Sequence, residues 1–505
     1  MNLIELFQPS FRDRAAERAL FFDDRWLTFG ELDALSDIAA AALRERFGLA
    51  RGDRAAMYLA NGFDLVVYYL AALKLGAIVV PLNLLYRDLE LTALLGDAEP
   101  TVLLTDRQRY DVFQPLRPRF SSLKHVLIAG DEHADDATAF SSLLAEPAPG
   151  RLAVCAVSGD DPALMLYTSG TTGRSKGAVL THDNLVSNIV GLLHCWQWTS
   201  DDRFVLSLPL FHAHGLCNGL HGAIASGCTT WLFERFSAMA VLQTLRREGC
   251  TLFFGVPTMD ERLLEAADQG EKIPDAMRLY VSGSAPLSPD TFNRFREAFG
   301  HEILERYGMS ETVMISSNLY AGPRGQGTVG RPLPGVRVRI AGEDGSIAEE
   351  PGQTGEIQVR GPNVLSAYWR EPAKTAESFV DGWFKTGDLG RWDESGRLII
   401  CGRLKELIIS GGFNIYPQEL VNCLCDHAGV AEAAVVGVPD KHRGELVKAY
   451  VVKSDDGLSA ERIIDHCREH LASFKVPRSV VFLEALPRNA MGKVQVQRLP
   501  DRDRL

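Results

Sequence analysis

Between Asp161 and Thr312 short apolar runs alternate with longer stretches of helical period, and no other feature restricts the fold of this chain as much. Buried parallel strands read as brief apolar runs and their crossovers as amphipathic helices, so the alternation predicts a doubly wound α/β sheet. Strands are expected at 162–167, 204–208, 229–233, 251–256, 279–282 and 302–306. Ser288 followed by Pro289, then Phe292, Phe295 and Phe299 at helical spacing, marks a capped helix start. Residues 25–105 predict a second α/β unit, with a helix at 29–46, a strand at 54–59 and a helix at 62–75. After Gly327 the pattern shortens to runs such as Val336-Arg337-Val338-Arg339-Ile340 and Glu356-Ile357-Gln358-Val359-Arg360, a small β-rich region. Beyond Gly402 strands and helices alternate again, with strands at 434–438 and 449–452. The expected architecture is α/β: a large N-terminal domain, 1–402, of layered α/β subdomains plus the β-rich region, followed by a small mobile α+β domain, 403–505.

Charge and composition exclude several function classes. The 505 residues carry a net charge of -12 with both signs interspersed, so no broad basic face is available for nucleic acid. No apolar run reaches the ~18 residues of a membrane span. The first residues lack a basic segment leading into an apolar one, so no secretory signal is expected. Nine scattered cysteines make no disulfide framework and suit a reducing compartment, which gives a cytoplasmic expectation.

The stretch Tyr167-Thr168-Ser169-Gly170-Thr171-Thr172-Gly173-Arg174-Ser175-Lys176-Gly177 carries the most chemistry. Its glycines permit tight turns that aim N–H groups at an anion, its hydroxyls add donors, and Lys176 adds charge. It is not a Walker loop, because the Gly492-Lys493 pair is followed by Val494. Gly173-Arg174-Ser175-Lys176-Gly177 also matches the G-x-S-x-G pattern of a hydrolase elbow, which would make Ser175 a nucleophile. The elbow serine sits directly between strand and helix, whereas seven polar or glycine residues separate Ser175 from the expected strand.

Further landmarks follow in order: Pro209-Leu210-Phe211-His212, Ser282-Gly283-Ser284-Ala285-Pro286, Tyr307-Gly308-Met309-Ser310-Glu311-Thr312, Gly327-Thr328-Val329-Gly330, Thr386-Gly387-Asp388, Gly402-Arg403-Leu404-Lys405 and Pro487-Arg488-Asn489-Ala490-Met491-Gly492-Lys493. With the glycine-rich stretch, the set resembles the adenylate-forming superfamily of acyl-CoA synthetases, peptide-synthetase adenylation domains and luciferases over nearly the whole chain. The resemblance implies an ATP-dependent, AMP-forming ligase that makes an acyl-adenylate and passes the acyl group to coenzyme A. Its implied partners are therefore a small carboxylic acid, ATP and coenzyme A, with Mg²⁺ accompanying ATP. Oligomeric state is not legible.

The resemblance implies catalytic roles for Lys493, bridging the acid and the α-phosphate, and for His212 and Glu311. It implies a nucleotide site from Thr168, Ser169, Gly170, Thr171, Thr172, Gly173 and Lys176, from Gly283, Ser284, Ala285 and Pro286, and from Glu305, Arg306, Tyr307, Gly308, Met309, Ser310 and Thr312. Asp388 and Arg403 complete it at the ribose, and Thr168 and Glu311 are the metal positions. Lys405 matches the hinge, and Ser410, Gly411, Gly412 and Phe413 the tunnel for the pantetheine arm. A luciferase-like oxygenase or a nonenzymatic nucleotide-binding module are alternatives on the same frame.

For the acid, Phe211-His212-Ala213-His214-Gly215-Leu216, Met277-Arg278-Leu279 and Glu305-Arg306-Tyr307-Gly308 are most similar to malonyl-CoA synthetases. A dicarboxylate brings a second negative charge that needs a partner if buried. Arg278 is the expected partner, assisted by His214, Ser282 and Ser316, with His212 also lining the acyl site. Ile315 stands where the malonate pattern has a polar residue, so a short or medium fatty, branched or aromatic acid is the alternative.

Overall fold

A computed structural model describes residues 1–145, 156–168, 175–270, 274–411, 413–489 and 492–503. Among these residues the chain forms a nine-stranded sheet, an eight-stranded sheet, a five-stranded β region and a five-stranded C-terminal sheet. It is the expected α/β architecture of a large N-terminal body and a small C-terminal lobe.

The nine-stranded sheet holds five of the six strands predicted between 161 and 312, Arg203–Leu206, Thr229–Leu232, Leu252–Gly255, Leu279–Ser282 and Leu304–Tyr307, all parallel, while the first, Pro162–Thr168, belongs to the other large sheet. Arg203–Leu206 has Thr229–Leu232 on one side and Leu252–Gly255 on the other, so the strand order reverses there. Loops leaving a reversal point diverge and open a crevice at the carboxyl ends of the strands. The helix Pro289–Phe299 starts where the sequence predicts: Ser288 Oγ accepts from Thr291 N, and Gly300 ends it at φ 68°. Its buried face stacks Phe295 on Phe299 at 4.2 Å, with Tyr280 edge-on to both. Truncating such a buried ring costs about 3–5 kcal/mol.

The eight-stranded sheet contains Arg54–Tyr58, Ile78–Pro81, Val102–Thr105, Pro162–Thr168 and Lys176–Thr181. Helix Phe63–Lys74 is buried along most of its length, which suits an apolar helix wedged between layers. Its buried lysine, Lys74, lies 2.6 Å from both Asp33 and Asp37. Asn61 ties the two sheets together: its amide nitrogen donates to the Leu208 and Phe233 carbonyls and its oxygen accepts from Leu210 N.

The C-terminal lobe packs helices Pro417–Cys425 and Ala460–His470 on its sheet around a core of its own, including Leu420, Leu424, Val435, Val447, Val451 and Ile463. A short helical turn, Leu404–Glu406, joins this lobe to the β region, with one residue, Arg403, between it and Gly402 at φ 143°. No helix among the described residues is long and apolar enough to cross a membrane.

Candidate active site

The crevice at the carboxyl ends of the nine-stranded sheet gathers most of the predicted residues. The strand Leu304–Tyr307 ends in a loop, 308–313, that folds back so tightly that a side chain on Gly308 would overlap the Val313 carbonyl. Val313 itself sits at φ 54°, a costly conformation for a β-branched residue. This curl turns Glu311 inward, where it is 6% exposed and its Oε1 accepts from Thr168 Oγ1 (3.3 Å) and Tyr368 OH (3.1 Å). Burial raises the Glu311 pKa, opposed by hydrogen bonds from its own backbone, Tyr368 and Thr168. Among the described residues no group of three or more His, Cys, Asp or Glu could hold a metal ion. Two hard oxygens side by side nevertheless suit Mg²⁺, which is commonly held by one or two carboxylates together with substrate phosphates.

Lys176 opens the strand Lys176–Thr181, with Nζ 5.2 Å from the centroid of the Tyr368 ring. Ser169, Gly170, Thr171, Thr172 and Gly173 lie outside the described residues. On the other wall, Tyr307 OH donates to Asp388 Oδ2 (2.6 Å) and Arg403 Nε lies 3.0 Å from Asp388 Oδ1. Asp388 and Arg403 face each other across adjacent strands, which fixes the pair. Lys493 stands among Arg403, Asp388, Glu406 and Lys405; burial first, then Arg403, pushes its pKa down. Its loop presses against the N-terminal body so closely that a Cβ on Gly492 would lie 2.6 Å from Thr258 Oγ1.

A second cluster of basic side chains, of which only Arg306 is charged, lies next to this one. His212 is pushed down to about 4 by burial and by Arg306 and Lys493, so it is neutral at physiological pH. His214 opens a π-helical stretch, His214–Leu220, and is held well below the usual imidazole range by burial, Arg306 and His212. Its Nδ1 lies 3.5 Å from Ser284 Oγ, and its buried Nε2 makes no hydrogen bond. Arg306 is 5% exposed; Nη2 donates to Ser284 Oγ (3.3 Å), Nε has no partner, and no carboxylate pairs with it among the described residues. Burial lowers its pKa to about 9. Gly283 makes room for this guanidinium, since a Cβ there would lie 2.6 Å from Arg306 Nε. Ser284 adopts φ 72° to bring its hydroxyl between His214 and Arg306. Ala285 and Pro286 complete that turn, as Met309 and Ser310 do the loop before Glu311.

Two acyl-site expectations need correction. Arg278 lies at the opposite end of the sheet, before the strand Leu279–Ser282, so roughly 16 Å of strand separates it from Gly283 at the usual rise. Its donors are spent there: Nε and Nη2 on Asp202 (2.7 and 2.6 Å), Nη1 and Nη2 on the Trp196 and Gln197 carbonyls. Ser282 Oγ is likewise engaged, donating to Asp260 Oδ2 at 2.6 Å. Asp260, which the sequence reading passed over, is raised to about 7 by burial against the hydrogen bond from Ser282. Glu305 accepts from Gly327 N (3.1 Å) and burial raises it to about 8. Ser316 and Thr312 are fully buried, and neither side-chain oxygen has a hydrogen-bond partner. In the C-terminal lobe, Ser410 pairs with Phe413 across a hairpin, Gly411 N donates to the Arg443 carbonyl, and Phe413 stacks on Phe474 at 4.5 Å. Gly412 lies outside the described residues.

The fold and the comparisons with known proteins together define an AMP-forming acid–CoA ligase. The chain belongs to the AMP-binding enzyme family: that family's pattern matches residues 7–369, and the AMP-binding enzyme C-terminal domain matches residues 419–493. It is 35% identical to the indoleacetate–CoA ligase of Aromatoleum aromaticum over 94% of this chain and 93% of that one. It is 33% identical to the malonate–CoA ligase of Arabidopsis thaliana, over 90% and 79% of the two chains. Its structure is similar to that of ATP-bound MatB from Rhodopseudomonas palustris, with TM-score 0.90, 38% identity and 98% of each chain covered.

Proposed function

We propose that this ligase activates malonate or a related short dicarboxylic acid with ATP and Mg²⁺ and transfers the acyl group to coenzyme A. The observation that carries the choice of acid is Arg306, a buried guanidinium with an unbonded Nε and no carboxylate partner among the described residues, next to His214 and Ser284. A buried charge without a counterion is costly, and a ligand carboxylate that pairs with it in fork geometry recovers that cost. Arg306 thus takes the part first expected of Arg278, and it leaves the nucleotide set for the acyl pocket.

In the first half-reaction one carboxylate oxygen of the acid bonds to the α-phosphorus of ATP, and pyrophosphate leaves. Both reactants are anions, so Lys493, Lys176 and the 168–176 loop supply the charge that offsets their repulsion. An anion arriving at Lys493 also reverses the depression of its pKa. His212, neutral and beside Lys493, accepts or donates hydrogen bonds without adding charge. Tyr307 offers adenine a ring face, Asp388 and Arg403 hold the ribose, and Glu311 with Thr168 would hold Mg²⁺, which would supply positive charge to offset that of the phosphates. In the second half-reaction the coenzyme A sulfur bonds to the acyl carbon, AMP leaves and the thiol proton is released. Lys493 must withdraw for the thiol to enter, so the 403–505 lobe turns on the 1–402 body about Lys405 and presents residues 410–413 to the pantetheine arm.

A monocarboxylic acid is the competing reading, favoured by the indoleacetate–CoA ligase likeness. Pyrophosphate release with ATP, Mg²⁺ and coenzyme A across malonate, methylmalonate, acetate, butyrate, octanoate and benzoate tests the choice. Malonate or methylmalonate leading is the expected result; a monocarboxylate leading would overturn the acid and leave the ligase chemistry intact.

A further inference from the structure

The segment 365–369, which leaves the β region between its strands Gly355–Arg360 and Phe379–Val380, is bonded on both sides. Leu365 N donates to the Glu311 carbonyl (2.7 Å), Ser366 N to the Val179 carbonyl (3.0 Å) and Trp369 N to the Gly177 carbonyl (2.7 Å). Tyr368 N donates to Thr375 Oγ1 at 3.0 Å, and Tyr368 lies opposite Ala178 in the sheet. The backbone therefore fixes the Tyr368 ring as a post between the metal-facing loop and the phosphate-facing strand. Its hydroxyl meets Glu311 Oε1 and its face meets Lys176 Nζ, and no ion pair joins Lys176 to Glu311 among the described residues.

A lysine and a buried carboxylate this near to one phenol would ordinarily pair with each other, cancelling the two charges that a metal–nucleotide complex needs. A cation over a ring face keeps its N–H donors available, because the attraction is to the ring quadrupole and uses no acceptor. Glu311 accepts the Tyr368 and Thr168 hydroxyls on Oε1 alone, and a carboxylate so engaged retains further lone-pair sites. We propose that Tyr368 is a positioning residue that holds Lys176 and Glu311 apart and charged, seating the lysine with its ring and the carboxylate with its hydroxyl, so that each is free for ATP and its metal. This rests on the assignment of Lys176 to the phosphates and Glu311 to Mg²⁺.

The two attachments can be removed separately. Tyr368→Phe keeps the ring and loses the hydroxyl; Tyr368→Leu loses both. Calorimetric titration of ATP into the full-length protein, in EDTA and in Mg²⁺, reads each arm without turnover. Tyr368→Phe is expected to bind ATP in EDTA like wild type while the gain from Mg²⁺ shrinks about tenfold, the scale of a hydrogen bond to a charged group. Tyr368→Leu is expected to lose, in addition, about fivefold in EDTA as Lys176 leaves its seat. In steady-state pyrophosphate release the Phe variant should show a raised Mg²⁺ requirement with little change in the saturating rate, a split that a general loss of packing would not give. A Phe variant with wild-type Mg²⁺ dependence overturns the proposal, as does a Leu variant with wild-type affinity in EDTA. Should the Leu variant fail to fold, the Phe arm decides alone. ATP binding by wild type that ignores Mg²⁺ would instead remove the metal role of Glu311, and the Tyr368 role with it, before any variant is compared.

Discussion

The two ends of the nine-stranded sheet hold the same chemistry in opposite states. At the amino ends of its strands, Arg278 grips Asp202 through two nitrogens, donates to two carbonyls and lies 4.7 Å over the Tyr320 ring. At the carboxyl ends, Arg306 is more deeply buried and has a serine hydroxyl and nothing anionic. A native fold pairs its buried charges unless something else is meant to pair them. Arg278 at the amino end is therefore saturated and structural. Around the carboxyl ends the cations Lys176, Arg306, Arg403, Lys405 and Lys493 outnumber the carboxylates Glu311, Asp388 and Glu406 named beside them, an excess of positive charge that suits anions.

That contrast predicts that charge removal at one end costs chemistry and at the other costs stability. The largest effect belongs to Lys493→Ala, which should slow pyrophosphate release by about 10²–10³-fold, the usual loss for one transition-state donor. ATP affinity and the thermal midpoint should stay near wild type; a collapse of either would mean that the lysine is structural like Arg278. Next is Arg278→Gln, which leaves Asp202 buried and unpaired and should cost about 3 kcal/mol in urea unfolding. Its KM for the acid should be unchanged, and an acid-specific KM rise would erase the distinction between the two ends.

The smallest effect is a pH slope beneath the site. Asp260 titrates near 3.8 when unfolded and about 7 when folded, because burial disfavours its charge. The folded state therefore binds the extra proton, so this group's contribution is fullest below pH 3.8 and declines as pH rises to about 7. Asp260→Asn retains an acceptor for Ser282 and should flatten the stability profile between pH 5 and 8 by about 1–2 kcal/mol. An unchanged slope would assign the acid elsewhere, Glu305 being the nearest group raised in the same direction.

Local patterns in the sequence read well because their causes are local. The strand Leu279–Ser282 falls at its expected residues because a continuous apolar run suits a strand buried on both faces. The Ser288 cap depends on a residue three positions away. The arginines could not be sorted this way: both adjoin apolar strands, and what separates them is which end of its strand each occupies and a partner, Asp202, 76 residues upstream. Tyr368 was invisible for the same reason, lying in a two-residue strand 57 positions from Glu311, with no spacing rule to link them. The π-helical stretch that carries His214 also had no signature in the sequence, since one widened turn leaves the apolar pattern nearly unaltered.

The most direct test of the central claim is the ratio of kcat/KM for malonate to that for butyrate, measured in wild type and in Arg306→Gln. The account predicts that wild type prefers malonate and that the variant loses about 2–4 kcal/mol of malonate specificity, roughly 30- to 1000-fold, with butyrate turnover little changed. A ratio that does not move would contradict it, and would mean that the unpaired arginine at the carboxyl ends of the sheet waits for something other than a second carboxylate.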